Sequence, residues 1–385
     1  MASTPAALQE KARNQGFTGD SPTPHNQPRL TDPGTTKAGS GGTDSGRTER
    51  PRVALLDNAK FLLIFLVVVG HAVELTPATP TGDAIYVWIY TFHMPAFVLI
   101  AGYLSRSFDG SAERVHRLLT TVVAPYLIFW VLYALQSLWV GRDLPDGPLE
   151  PIFLTWFLAA LLVWRLTVPL WRRIPYPIPV SIGVSIAAGV VVTGNVLDVS
   201  RVLSLLPFFV TGLFLRPHHF EWLQRTWVRV CSAVVVLATA AVSYLWLEPL
   251  SLEWVYWRES LTERDFELLP YGLPARLVFL VIACAMTAAV LSLTPRRRLW
   301  ITGMGAFTMY VFLLHGLALR IAEQLGWFEF TSALAGGMGN KAFVLNAALG
   351  VVLTFVLCTP WVRRATSWAV QPKADWILRR DDQPR

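Results

Sequence analysis

From Val53 onward the chain is a succession of apolar runs, most of them close to the roughly 20 residues that a helix needs to cross the hydrocarbon core of a bilayer, broken by short polar stretches. This feature leaves little choice of fold. In lipid every backbone N–H and C=O must find its partner within the protein, and consecutive apolar runs of this length do so as helices. The expected architecture is an all-α polytopic membrane protein with about ten transmembrane helices, near 57–76, 84–105, 116–140, 152–172, 176–194, 200–216, 227–248, 274–294, 300–324 and 342–364. Composition agrees: 53% of residues are hydrophobic and only 15% charged, with a mean hydropathy of +0.44, which excludes a set of soluble domains. Pro95, Pro125 and Pro207 are expected to kink their spans.

Residues 1–50 contain no apolar run and are rich in Gly, Ser, Thr, Pro and Asp, so they are expected to form a disordered cytosolic tail. They lack the apolar core and cleavage site of a signal peptide. The membrane domain is expected over 51–365 and a C-terminal cytosolic tail over 366–385. On one side of the expected spans lie twelve arginines (Arg106, Arg114, Arg117, Arg165, Arg172, Arg173, Arg216, Arg225, Arg229 and Arg296 to Arg298), and on the other six basic residues (Arg142, Arg201, Arg258, Arg264, Arg276 and Lys341). The positive-inside rule then puts both termini in the cytosol, as an even number of spans requires. Distributed in this way, the net charge of +7 reads as topology and not as nucleic-acid binding. Cys231, Cys284 and Cys358 each lie in an apolar run with no metal-ligand spacing, so neither a disulfide framework nor a metal site is expected. The acidic outer loop from Glu248 to Pro274 is expected to cap the outer face, with Trp254, Tyr256 and Trp257 available to sugar rings or to the interface.

Ionisable groups inside a span are costly, about 2.5 to 3.5 kcal/mol each on insertion scales, and so mark function. The first span holds Lys60 near its cytosolic end, then His71 and Glu74 in its outer half. Eleven helical positions bring Lys60 and His71 to one face, roughly 16 Å apart in depth. His93 falls in the second span and His315 in the ninth, with Arg320 and Glu323 beyond it. Each histidine alone could be a neutral packing residue; together they imply a polar cavity with imidazoles suited to proton transfer. Arg114 and Arg117, three apart on one helix side, could serve as topology charges or as a fork for phosphate oxygens.

These residues resemble the motifs of the acyltransferase-3 integral-membrane family, most closely its fucose 4-O-acetylase-like branch. The resemblance runs from residue 52 to about 360. It rests on Lys60 and His71, on Phe92-His93-Met94-Pro95 followed by Ala101-Gly102-Tyr103, on Arg114 and Arg117 before Pro125-Tyr126, on Trp156-Phe157-Leu158, and on Tyr310 with Leu314-His315. Many members carry Arg at the position of Lys60 and Ser at that of Ala101. The resemblance implies an O-acyltransferase using cytosolic acyl-CoA, with acetyl as the usual group, and a hydroxyl of a carbohydrate or other acceptor.

On that reading Arg114, Arg117 and Lys60 bind the CoA phosphates. His71 is the general base, oriented by Glu74, or alternatively the nucleophile of an acyl-histidine intermediate. His93 donates to the oxyanion or binds the acceptor, and His315 and Tyr310 contribute to substrate binding. The competing class is a proton-coupled transporter or flippase, against which stands the lack of self-similarity between the two halves.

Overall fold

The computed structural model describes residues 54–76, 79–191, 196–245, 257, 271–336 and 338–372. The expected N-terminal tail and the acidic stretch with Glu253, Glu259, Glu263, Asp265 and Glu267 lie outside these residues, as do Trp254 and Tyr256. The described chain is helical throughout: α1 (Ala54–Glu74), α2 (Pro80–Tyr90), α3 (His93–Leu104), α4 (Ala112–Leu118), α5 (Ala124–Trp139), α6 (Trp156–Leu166), α7 (Val168–Trp171), α8 (Pro177–Val191), α9 (Val199–Ser204) and α10 (Leu206–Phe214). These are followed by α11 (Pro217–Leu223), α12 (Thr226–Leu245), α13 (Leu273–Leu293), α14 (Thr308–Gln324), α15 (Trp327–Leu334), α16 (Gly339–Leu357) and α17 (Pro360–Val370). The expected domain boundary at 365 falls inside α17.

Among the described residues, seven helices are long and apolar enough to cross a membrane, and eight if the bent pair α9–α10 counts as one crossing. The remaining two of the ten expected spans, over α6 and α8, are apolar but shorter. Each proline expected to kink a span sits just after an interruption. Before Pro95, α2 and α3 break at Thr91–Phe92. Ahead of Pro125 the backbone widens into a π turn, Leu119–Val123. Beside Pro207, α9 and α10 meet at 60°. A proline cannot donate to the preceding turn, and these local adjustments absorb the missing bond.

Helix α1 is the axis of the bundle. Between its polar ends it is apolar, with Leu55, Ala59, Leu63, Ile64, Val67, Val68 and Ala72 at 2% exposure or less, and it touches α2, α3, α13, α14 and α16. By contrast, α12 presents Val230, Val234, Leu237 and Val242 outward, as a lipid-facing helix does. Near the start of α1, buried Asn58 donates through Nδ2 to the carbonyls of Pro295 (2.8 Å) and Arg297 (3.0 Å) and accepts from the Thr302 hydroxyl (2.6 Å). This side chain ties α1 to the segment entering α14. Replacing Asn58 with alanine strands these buried partners and should cost about 1 to 3 kcal/mol, read as a lowered Tm of the purified protein; an unchanged Tm would mean the tie is dispensable.

Candidate active site

Three helices bring their intramembrane histidines to one place. α1 contributes His71 and Glu74 near its C-terminal end, α3 opens on His93, and α14 carries His315. The rings of His71 and His315 are 5.6 Å apart, and Tyr90 bridges the other pair, its ring 6.1 Å from His71 and 4.2 Å from His93. A cavity of about 590 Å³ opens beside them, lined by His71, Glu74, Tyr90, His93, Trp156, Asp198, Arg201, Trp257 and Arg320 among others.

The hydrogen bonds decide which ring nitrogens can act. His71 Nδ1 lies 2.8 Å from Glu74 Oε2, one turn along the helix. A carboxylate only accepts, so Nδ1 carries the proton and Nε2 keeps its lone pair. His93 Nδ1 lies 3.0 Å from the Ile89 carbonyl and His315 Nδ1 2.9 Å from that of Val311, so both rings have the same tautomer. In His315, wholly buried, Nε2 has no partner among the described residues. A neutral His93 therefore has no N–H left for an oxyanion, and of its two expected roles only acceptor binding suits this tautomer. Arg320 is one of two guanidiniums lining the cavity, 3.1 Å from Glu323 and seated 4.8 Å from the centre of the Phe153 ring.

The loop between α5 and α6 forms one side of the cavity. Its backbone is held by Trp130 Nε1 donating to the Glu150 carbonyl (2.9 Å), by the Tyr126 hydroxyl on Pro148, and by Leu197 N–H donating to the Leu149 carbonyl (2.7 Å). Among the described residues, four that are not glycine have positive φ: Phe153 (51°), Leu197 (52°), Asp198 (52°) and Trp257 (60°). Three of these line the cavity and Leu197 adjoins it. Side chains with a Cβ pay for this conformation, and such strain concentrates where geometry serves function.

The other ends of α3 and α6 carry the arginines. Twelve positions separate His93 from Ser105 and nine separate Trp156 from Arg165, a rise of roughly 18 Å and 14 Å. Here Arg165 Nε donates to Ser105 Oγ (3.2 Å), Arg172 donates to the Arg106 carbonyl, and Arg106 reaches the carbonyls of Tyr103 (2.9 Å) and Leu215 (3.1 Å). Arg165 is electrostatically coupled to Arg117, and neither has a carboxylate within ion-pair distance among the described residues. Arg114 differs: its Nε lies 3.3 Å from Asp109. Hydrogen bonds from Ser111 hold the Asp109 carboxyl below its usual range, with Arg114 adding to the effect.

Of the expected site residues, then, His71, Glu74 and His93 line the cavity and His315 packs behind His71. Tyr310 does not join them; its hydroxyl donates to Gln371 of the segment after α17 (3.1 Å). Lys60 lies toward the other end of α1, paired with Asp57 at 2.8 Å. Among the described residues, no cluster of His, Cys, Asp or Glu is arranged to hold a metal ion.

A family model described as an acyltransferase domain matches residues 53–362, spanning every helix named above as far as the start of α17. The chain belongs to the acyltransferase-3 family. As a member it is an enzyme that transfers acyl groups, built as a bundle of membrane helices. This acyltransferase is 24% identical over 307 residues to nodulation protein NolL of Mesorhizobium japonicum, covering 71% of this chain and 78% of that one. It is likewise 24% identical over 326 residues to the NolL protein of Sinorhizobium fredii, covering 77% and 84%. No solved structure matches it.

Several cavity residues of this acyltransferase escaped sequence reasoning. Arg201 counted there only as an outer-side charge, yet it pairs with Asp198 at 3.4 Å and sits 4.8 Å from the Trp156 ring centre. Asp143 and Glu150 lie in a polar loop whose fold over the cavity no local pattern announces. The one available signal was the spacing Asp198 to Arg201, which places opposite charges on one side of a helical turn.

Proposed function

We propose that this acyltransferase moves an acyl group, acetyl in the simplest case, from cytosolic acyl-CoA to a hydroxyl of a carbohydrate or other envelope or secreted acceptor. It acts as a multi-pass protein of the cell membrane, of the fucose 4-O-acetylase-like branch. Ten crossings, with α6 and α8 as the two shorter ones, leave both termini in the cytosol, in keeping with the arginine distribution. The observation that supports this reading best is the His71–Glu74 pair on the cavity wall, which leaves Nε2 of His71 free to take a proton.

On this reading the acceptor oxygen attacks the thioester carbonyl carbon while its proton passes to His71 Nε2. The carbon–sulfur bond then breaks, and the proton leaves on the CoA sulfur. Glu74 is a positioning residue that fixes the tautomer and balances the imidazolium charge. Arg320 is the cavity cation placed to stabilise the oxyanion, and His93 accepts a hydrogen bond from the acceptor. The arginine end of α3 and α6 takes the CoA phosphates, and the pantetheine arm supplies the reach between the two ends.

The two motif arginines are then not equivalent. Arg117 has no carboxylate within ion-pair distance among the described residues and is felt electrostatically by Arg165, whereas Arg114 is already held by Asp109. Arg117→Lys keeps the charge but loses the planar fork, and should weaken acyl-CoA binding about tenfold. Arg114→Lys should weaken it less. Binding of acyl-CoA to the purified protein in lipid discs tests the donor site: equal affinity in the parent and the Arg117→Lys variant would move the site elsewhere.

A further inference from the structure

We propose that the part of the cavity lined by Asp143, Glu150, Asp198, Trp156 and Trp257 is a subsite for an uncharged sugar ring of the acceptor and turns away anionic glycans. The inference rests on the acyl-transfer reading above and names the chemistry of its acceptor.

Charge is the first reason. The cavity wall carries four carboxylates, Glu74, Asp143, Glu150 and Asp198, against two guanidiniums, Arg201 and Arg320. Glu74 accepts the N–H of His71, and Asp198 and Arg201 pair with each other. Arg320 is held by Glu323. Asp143 and Glu150 remain, with no cation within ion-pair distance among the described residues. With Glu323, Arg142 and Arg276 included, the last with its guanidinium 5.0 Å from the centre of the Trp257 ring, carboxylates still outnumber guanidiniums by one, which disfavours the phosphates of CoA, so the occupant here is the acceptor. The hydroxyls of a neutral sugar ring, in contrast, are donors for which carboxylates are the natural acceptors.

The second reason is an unused donor. Trp257 is 1% exposed and lines the cavity, and its Nε1–H has no partner among the described residues. Its ring is held by Phe279, 4.7 Å away between centres, and by Phe208 at 6.0 Å. A buried indole N–H left unsatisfied is costly, and a ring or hydroxyl oxygen of a bound sugar would satisfy it. Strain completes the case. Phe153, Asp198 and Trp257 all keep a left-handed backbone in the cavity lining, and such strain concentrates at functional sites.

The test uses the full-length enzyme in lipid discs with labelled acetyl-CoA. The acceptors are a panel of methyl hexopyranosides and the matching methyl hexopyranosiduronates. The neutral glycosides should be acylated at least about tenfold more efficiently than the uronates. In the double variant Asp143→Asn, Glu150→Gln that ratio should fall toward one. Trp257→Phe keeps the ring and removes the donor; it should raise the KM of the neutral acceptor about tenfold and move that of acetyl-CoA far less. Uronates used as well as neutral glycosides, acylation of neither class, or a ratio untouched by the double variant would each overturn the subsite. Hydrolysis of acetyl-CoA by water in the same discs keeps the two claims apart. Hydrolysis that is lost in His71→Ala leaves the transfer chemistry standing even if the subsite fails, and hydrolysis that persists in that variant removes the chemistry on which the subsite depends.

Discussion

Replacing His71 with alanine is expected to lower acyl transfer by roughly 10² to 10⁴, with the protein still inserted and folded. The imidazole sits at the cavity wall, 2.8 Å from Glu74 on its own helix and 3.3 Å from the Tyr90 hydroxyl, so its loss costs these two contacts at the cavity and leaves the rest of the bundle in place. Glu74→Gln retains the length of the side chain and loses the charge, and it should cost less, about ten- to a hundredfold. Initial rates with saturating acyl-CoA check both, and circular dichroism and elution volume check the fold. Activity near that of the parent in His71→Ala would remove this histidine from the chemistry. If His71 is instead the nucleophile, acyl-CoA supplied without acceptor should leave an acyl group on the protein, visible by mass spectrometry of the quenched enzyme; a base leaves none.

The second large effect concerns the frame that holds the site. α3 and α10 cross at two glycines facing each other's backbones: a Cβ on Gly102 would lie 2.0 Å from the Phe209 carbonyl oxygen, and one on Gly212 would lie 2.0 Å from that of Leu99. Membrane helices gain attraction by such close approach, since lipid offers no hydrophobic drive to hold them together. Gly102→Val must force the helices apart at a point where backbone, not a movable side chain, is in the way. A loss of about 3 kcal/mol or more is expected, enough to deplete the folded protein from the membrane. Gly183→Ala is the control, because a Cβ there meets nothing within 4 Å. Thermal unfolding of the two variants should separate them by many degrees, and similar Tm values would mean that the crossing can relax.

Much of the site was legible because helical geometry is periodic. His71 and Glu74, three apart on a span, had to share a face, and three histidines in apolar runs had to find one another or a carbonyl. The same periodicity argues against Tyr310 as their companion. Five positions before His315 correspond to about 500°, which turns the side chain roughly 140° away; the hydroxyl points to Gln371 instead. What no pattern in the sequence reveals is which N–H is already spent. His93 reads as a donor until its bond to the Ile89 carbonyl is seen, and Arg114 reads as the twin of Arg117 until Asp109 is found beside it. Charge in the cavity wall was hidden for another reason. Asp143, Glu150 and Asp198 come from loops and helix ends whose left-handed residues, Leu197 and Asp198, follow no propensity, and they converge only through long-range backbone bonds such as Leu197 to Leu149. Gly102 shows the opposite case, a residue visible in a motif whose purpose, a helix crossing, required the partner helix.

The most direct measurement compares thiol release with ester formation. Sealed inside-out vesicles containing the enzyme would be given acetyl-CoA labelled in the acetyl group, and free CoA thiol and alkali-labile acetyl ester would be counted in the same samples. Transfer through His71 from the cytosolic face predicts the two in equal amounts, both lost in the His71→Ala variant, and neither formed in right-side-out vesicles until they are permeabilised. Passage of a glycan across the membrane with no release of thiol and no ester formed would contradict it.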